Sequence, residues 1–208
     1  MKRINKYVKA VLCTLAVALL AASFVFISAE NANAKTNWKK LYASYIANDD
    51  WCKSAAYSAR LVYINNDNIP EIFIEGNCAA SGNMLLSIYK GKVCSSYVDG
   101  HGGISYVHKK GIVYAYGGHM DYYYDSMGKL VKGTLEYSVG GSYGAEDNSN
   151  VKLDKNGYPI YKYYWGEKEV SKKTYNAKLK KAKGNYKYKA TYDYEKMLTM
   201  DELKKKLQ

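Results

Sequence analysis

Between Leu61 and Gly76 the chain reads L-V-Y-I-N-N-D-N-I-P-E-I-F-I-E-G. Two short apolar runs, Leu61 to Ile64 and Ile72 to Ile74, flank Asn65, Asn66, Asp67, Asn68, Ile69 and Pro70. Apolar runs this short, bounded by turn-forming residues, predict a strand, a tight turn and a second strand. The same punctuation recurs downstream. Met84 to Tyr89 and Val93 to Val98 flank Lys90-Gly91-Lys92, Ile104 to His108 and Ile112 to Tyr116 flank Lys109-Lys110-Gly111, and Asp121 to Asp125 precedes Ser126-Met127-Gly128. Further on, Val151 to Leu153 and Tyr158 to Trp165 flank Asp154-Lys155-Asn156-Gly157. Each pair predicts a hairpin. Residues 139–150, V-G-G-S-Y-G-A-E-D-N-S-N, have no apolar periodicity and predict a surface loop.

Helical signals lie at the two ends. Thr36 can cap a helix whose apolar positions Trp38, Leu41, Tyr42, Tyr45 and Ile46 follow helical spacing, and Asn48-Asp49-Asp50 marks its end. Ser171 can cap a second, with Tyr175, Leu179 and Ala182 on one face and Gly184 as its stop. Thr199 and Glu202 form a capping box ahead of Leu203 and Leu207. Before that box, Tyr186, Tyr188, Ala190, Tyr192 and Tyr194 alternate with charged or polar residues and predict a strand with a tyrosine face. The expected fold is α+β: predominantly an antiparallel β-meander of hairpins, with an N-terminal helix and short C-terminal helices. At 208 residues and 48% hydrophobic content the chain suits one compact domain, expected over residues 35–208.

The first 34 residues read differently. Lys2, Arg3, Lys6 and Lys9 precede an apolar run from Ala10 to Ile27, and Ala32-Asn33-Ala34 is a small-residue cleavage site. This is the pattern of a secretory signal, so the mature chain is expected to start at Lys35, to be extracellular, and to keep no stable membrane span. Leu12 before Cys13 is wrong for a lipoprotein site. Charge is also uneven. Residues 35–150 carry 11 basic and 11 acidic side chains, whereas residues 151–208 carry 16 Lys and 7 acids, a net of +9. For an exported chain such a basic third predicts anionic cell-wall polymer or glycan as partner, not nucleic acid. Export also favours oxidation, so one disulfide is expected among Cys52, Cys78 and Cys94, with the pairing open.

The Asp67 turn has the form of a calcium loop, in which side-chain oxygens at alternate positions converge on one cation. Asn65, Asp67, the Ile69 carbonyl and Glu71 occupy ligand positions. Tyr63 stands where the first ligand is needed, and Asn68 where glycine is usual. Calcium is therefore the one cofactor the loop suggests, and a plain Asx turn is the simpler reading. The stretch resembles the D-x-N-x-D-G-x-P-E-[LIF] segment of a group of exported proteins from Gram-positive gut Clostridia, itself similar to the loops of FG-GAP and VCBS-type repeats. Trp38 to Tyr42 and Gly102 to Gly111 match weaker features of that group. The resemblance implies export and a β-rich fold, and no activity. Tyr122 to Gly133 is similar to one repeat of the choline-type cell-wall-binding modules, which need several copies where this chain has one.

Two further constellations carry chemistry. Asp99 and His101, then His119 and Asp121, sit among glycines around the middle hairpins. Should those turns face one another, two imidazoles and two carboxylates would meet, which suits zinc or general acid–base work. There are also 24 tyrosines against three phenylalanines. Tyrosine fills a sheet while keeping its hydroxyl wet, and exposed rings stack on sugars, so Tyr186, Tyr188, Tyr192 and Tyr194 are candidate ligand contacts. The first expectation is a secreted, non-enzymatic binding protein of the bacterial surface. An extracellular metal-dependent hydrolase using the His/Asp set is the alternative, and a secreted toxin or effector comes third. No Ser/His/Asp motif, phosphate loop or H-E-x-x-H supports an enzyme.

Overall fold

A computed structural model describes residues 37–208. The expected signal, Cys13 and the Thr36 cap lie outside the described residues. Twelve strands form two antiparallel sheets, so the chain is α+β and dominated by β-structure, as the hairpin punctuation predicts. The first helix, α1, covers residues 37–48, and Asp49 then caps a short α2, Asp50–Ser54, by accepting the Cys52 N–H. Strands β1 (Ala56–Val62), β2 (Glu71–Gly76), β3 (Asn83–Tyr89) and β4 (Lys92–Val98) follow as a meander. The strand β12 (Leu198–Thr199) returns from the C-terminus to pair with β1, giving the order β12-β1-β2-β3-β4. Its neighbour in sequence is α4, Met200–Leu207, which opens with the expected capping box.

The second sheet is a longer meander of β5 (Gly102–Tyr106), β6 (Ile112–His119), β7 (Tyr122–Val131), β8 (Thr134–Gly144), β9 (Lys162–Trp165) and β10 (Lys168–Val170). The two-residue strand β11 (Lys189–Ala190) completes it beside β5. Tight turns set the register. Lys90-Gly91, Met120-Asp121 and Lys132-Gly133 each place two consecutive residues at positive φ, the twist that matches a two-residue hairpin.

Alternation along β1 to β3 divides the core. Ala59, Ile72, Ile74, Leu86 and Ile88 face one way, into a layer with Tyr42 and Ile46 of α1 and Leu203 and Leu207 of α4. Val62, Phe73 and Leu85 face the other way and meet Ile104, Tyr106, Val113 and Ala115 of the second sheet. Helix α3, Lys172–Lys183, covers the outer side of that second sheet through Tyr175. The molecule thus stacks helices, five strands, seven strands and one helix. Buried apolar faces on both sides explain why Ile72-Phe73-Ile74 reads as a continuous apolar run.

Four local expectations are corrected. Ser126-Met127-Gly128 is not a turn: β7 runs through it with a bulge, and a Cβ on Gly128 would lie 2.4 Å from the Glu136 carbonyl. The proposed loop over residues 139–150 starts later, because Val139 to Gly144 belong to β8. Gly140 and Gly144 there serve close strand approach, with neighbouring carbonyls 2.4 and 2.2 Å from where a Cβ would sit. The hairpin around Asp154 closes only a single bridge, Leu153 to Pro159, before β9. Finally, Tyr186 to Tyr194 does not form one strand. Only Lys189 and Ala190 pair, and Thr191, expected on the outward face, is buried with its N–H and hydroxyl both donating to the Ile104 carbonyl.

Candidate functional site

The Asp67 turn spends the Asn65 and Asp67 side-chain oxygens on itself, while Asn68 Oδ1 accepts from Lys109 Nζ. Asp67 Oδ1 accepts the Ile69 N–H at 2.8 Å, Asp67 Oδ2 accepts from Asn65 Nδ2 at 2.9 Å, and Asn65 Oδ1 accepts the Asp67 N–H at 2.9 Å. Asn68 takes the left-handed conformation that glycine fills in the calcium form. Glu71 points inward instead of toward the turn. It is buried and accepts the Ile64 N–H at 2.7 Å, and burial pushes its carboxyl up to about 8, against the pull of those backbone hydrogen bonds. The turn therefore closes as an Asx turn with its last carboxylate folded under the chain.

The two histidines do come together. Gly102 pairs with Gly117 at the start of β5 and end of β6, and a Cβ on Gly102 would sit 2.2 Å from the Tyr116 carbonyl. That close approach brings the His101 and His119 rings to 4.2 Å between centroids. Asp99 stays beside them, its Oδ1 accepting the His101 N–H at 2.9 Å and lying 3.9 Å from His101 Nδ1. Asp121 does not join. Its Oδ1 accepts the Tyr161 hydroxyl at 2.6 Å, the first cause of the raised Tyr161 phenol, with burial second. Among the described residues no three His, Cys, Asp or Glu side chains are grouped so as to hold a metal ion.

The three cysteines also stay apart. Cys52 is buried in the helical layer, where burial raises its thiol to about 12. Cys78 is exposed in the turn after β2, 3.1 Å from the Ser81 hydroxyl, which lowers its thiol pKa. Cys94 lies on β4 against the Lys132-Gly133 turn. All three are free thiols, so the expected disulfide is not formed, and helix, turn and strand hold them in separate settings.

No family model, curated protein or solved structure matches this chain.

Three groups of tyrosines bear on ligand binding. Tyr123, Tyr143 and Tyr163 are cross-strand partners on the outer side of the second sheet, stacked at 5.1 and 5.3 Å. Tyr175 of α3 meets Tyr143, Tyr163 and Trp165 edge-on, so these ring faces are used by one another. Beneath the same helix, the buried Asp125 carboxylate accepts hydroxyls from Tyr114 and, at 2.6 Å, Tyr175. Burial and then that carboxylate raise both phenols, which keeps them protonated as donors. Tyr188 belongs with them: its hydroxyl donates to the Lys183 carbonyl at 3.2 Å and its ring meets Tyr114. Tyr186 is exposed beyond the helix end.

Tyr192 and Tyr194 lie elsewhere, at the end of the sandwich. Arg60 positions them by donating to the Ala190 and Thr191 carbonyls at 3.0 and 3.1 Å. Their rings meet at 4.5 Å and 82°, and with Tyr57 and Tyr116 they border a cleft of about 430 Å³. Glu75 faces it, holding the Ser58 hydroxyl at 2.6 Å. Burial, the Tyr194 hydroxyl and the Glu75 carboxylate keep the Tyr192 phenol raised. Tyr57 and Glu75 lie on the paired strands β1 and β2 and Tyr116 on β6 of the other sheet, so no local pattern points to the group.

A lysine surface accompanies α3. Residues 170–192 contain Lys172, Lys173, Lys178, Lys180, Lys181, Lys183, Lys187 and Lys189, and no acidic residue. Every acid that enters an ion pair among the described residues pairs with some other base. Lys183 alone turns inward, its Nζ 3.8 Å from the centre of the Tyr114 ring, and the other seven are exposed. The sequence alone shows the segment without acids; the structure adds that, among the described residues, none of its lysines pairs with an acid from elsewhere in the chain.

Proposed function

We propose that this protein is a secreted, non-enzymatic binding protein that holds an anionic polymer of the bacterial surface through the lysine segment at residues 170–192. One observation carries the reading: eight lysines stand in 23 residues with no acid among them and, among the described residues, no ion pair to any of them. Helix α3 carries six of them, five facing outward, on a fixed support, because Tyr175 and the Asp125 carboxylate tie it to the sheet. Unpaired cations on a rigid face gain by releasing counterions from a polyanion and need no pocket. The segment contrasts with Lys152 and Lys162, which Glu146 neutralises.

The test is sedimentation with isolated cell wall at rising salt. Binding is expected at low ionic strength and should fade as the screening length drops to about 10 Å near 0.1 M. Replacing Lys172, Lys173, Lys178 and Lys181 by Glu should abolish it without changing the unfolding midpoint, since all four are exposed. Absence of binding by the unmodified protein at low salt removes the reading.

The meeting of His101 and His119 favours a second reading, a metal-dependent hydrolase. Zinc raising the unfolding midpoint of the unmodified protein, and failing to do so after His101→Ala, is the result that would bring it forward.

A further inference from the structure

We propose that the cleft bordered by Tyr57, Tyr116, Tyr192 and Tyr194 is a binding site for an uncharged sugar. It goes beyond the polyanion reading and uses none of the same side chains. Three of the rings leave large parts of their faces to solvent: Tyr57 is 67% exposed, Tyr116 40% and Tyr194 82%. Their grouping is what matters, because single exposed aromatics are ordinary whereas several around one hollow mark a binding surface. The cleft, at about 430 Å³, is within the range of small-ligand sites and large for a compact cation.

The polar groups narrow the ligand. Among the described residues Glu75 is the one charged side chain facing the cleft, and no Lys or Arg borders it. An anion would meet repulsion with nothing to offset it. One oxygen of Glu75 is engaged by Ser58, yet a carboxylate offers roughly four acceptor positions, so capacity remains for hydroxyl donors. The two amides nearby are already committed. Asn83 accepts the Gly76 N–H and donates to the Asp99 carbonyl, while Asn77 donates to the Ser54 carbonyl and accepts the Ser81 hydroxyl. They shape the floor and leave Glu75, the Cys78 thiol and the Tyr57 and Tyr116 hydroxyls facing the cleft.

The fold keeps the cleft open. Strand β11 pairs with Ser105 and Tyr106 alone, so among the described residues the Gly102 and Gly103 end of β5 has no strand beside it on that edge. Glycine there leaves backbone at the cleft wall, with nothing projecting to fill it. Flat apolar faces set at an angle, an acceptor for paired hydroxyls and bare backbone together match a pyranose, which has an apolar C–H face and a hydroxyl rim.

The test is titration of the purified protein with cellotriose, tri-N-acetylchitotriose and maltotriose at physiological salt, followed by NMR at Gly102 and Gly103, with tetramethylammonium alongside. At least one trisaccharide is expected to shift these signals. Tyr194→Ala and Glu75→Gln should each weaken that binding by about tenfold or more. Both keep the fold, since Tyr194 is exposed and glutamine can still accept from Ser58. Replacing Lys178 and Lys181 by Glu should leave sugar binding unchanged, which separates this site from the polyanion surface. The proposal is overturned if no trisaccharide shifts the signals, if both cleft variants bind as the unmodified protein does, or if tetramethylammonium alone binds.

Discussion

Glu71 shows how one side chain can fix a turn and leave a mark on the pH dependence of the whole protein. Its carboxyl is raised from 4.5 to about 8 chiefly by burial, so the folded state binds its proton more tightly than the unfolded chain does. The associated stability is fully present below 4.5 and is lost as pH rises through about 8. Unfolding midpoints measured across that window should fall with rising pH in the unmodified protein and stay flatter in Glu71→Gln. Tyr42 makes a simpler case. It is fully buried and its hydroxyl donates to the Pro70 carbonyl at 3.0 Å. Tyr42→Phe should cost about 1–3 kcal/mol in a denaturant titration, because the carbonyl loses its partner where water does not enter. Local patterns made the Asx turn and the Thr199 capping box readable from sequence, since both act over a few residues. Glu75 and Tyr57 were not, because their significance depends on which strands become neighbours.

Among the elements, α3 depends most on one buried group. Asp125 lies in the middle of β7, and Tyr175 reaches it from the helix at a separation of fifty residues. Tyr175→Phe removes that hydrogen bond while keeping the ring among Tyr143, Tyr163 and Trp165. The expected outcome is a loss of about 1–3 kcal/mol, with amide exchange accelerating in α3 before the first sheet. Helix ends and two-residue turns were legible because capping and positive φ select few residue types. The glycines at Gly128, Gly140 and Gly144 misled for the opposite reason. Glycine marks either a turn or a place where strands approach too closely for a side chain, and only the partner strand tells which. The short β11 escaped for a related cause: alternation of Tyr and Lys describes an exposed segment as well as a strand, and burial of Thr191 broke the pattern.

For the molecule as a whole, charge and layering are separable. The exposed lysines of α3 sit on the outermost layer, so their charges can be reversed without touching either core. Layering itself was only half visible. Hairpin signals indicated antiparallel strands, but the division into two sheets follows from which faces meet, as with Ser87 donating to the Gly133 carbonyl and Ser96 accepting the Leu135 N–H between the sheets. The first core shows the strongest long-range dependence. Leu203 is fully buried beside Tyr42 and Ile72, so Leu203→Ala should cost about 2–5 kcal/mol, measurable as a shift in the denaturant midpoint.

The pairing of Ser58 with Thr199 ties nearly opposite ends of the described chain into one sheet. A polypeptide emerging N-terminus first, from a ribosome or an exporter, can form the β1 to β4 meander early. It cannot cover Tyr42 and Ile46 until Leu203 and Leu207 have followed. Loop closure over that separation makes completion late and slow. The half-built sheet meanwhile exposes Ala59, Ile72 and Ile74, which makes the incomplete chain the form a chaperone would recognise and a protease would reach.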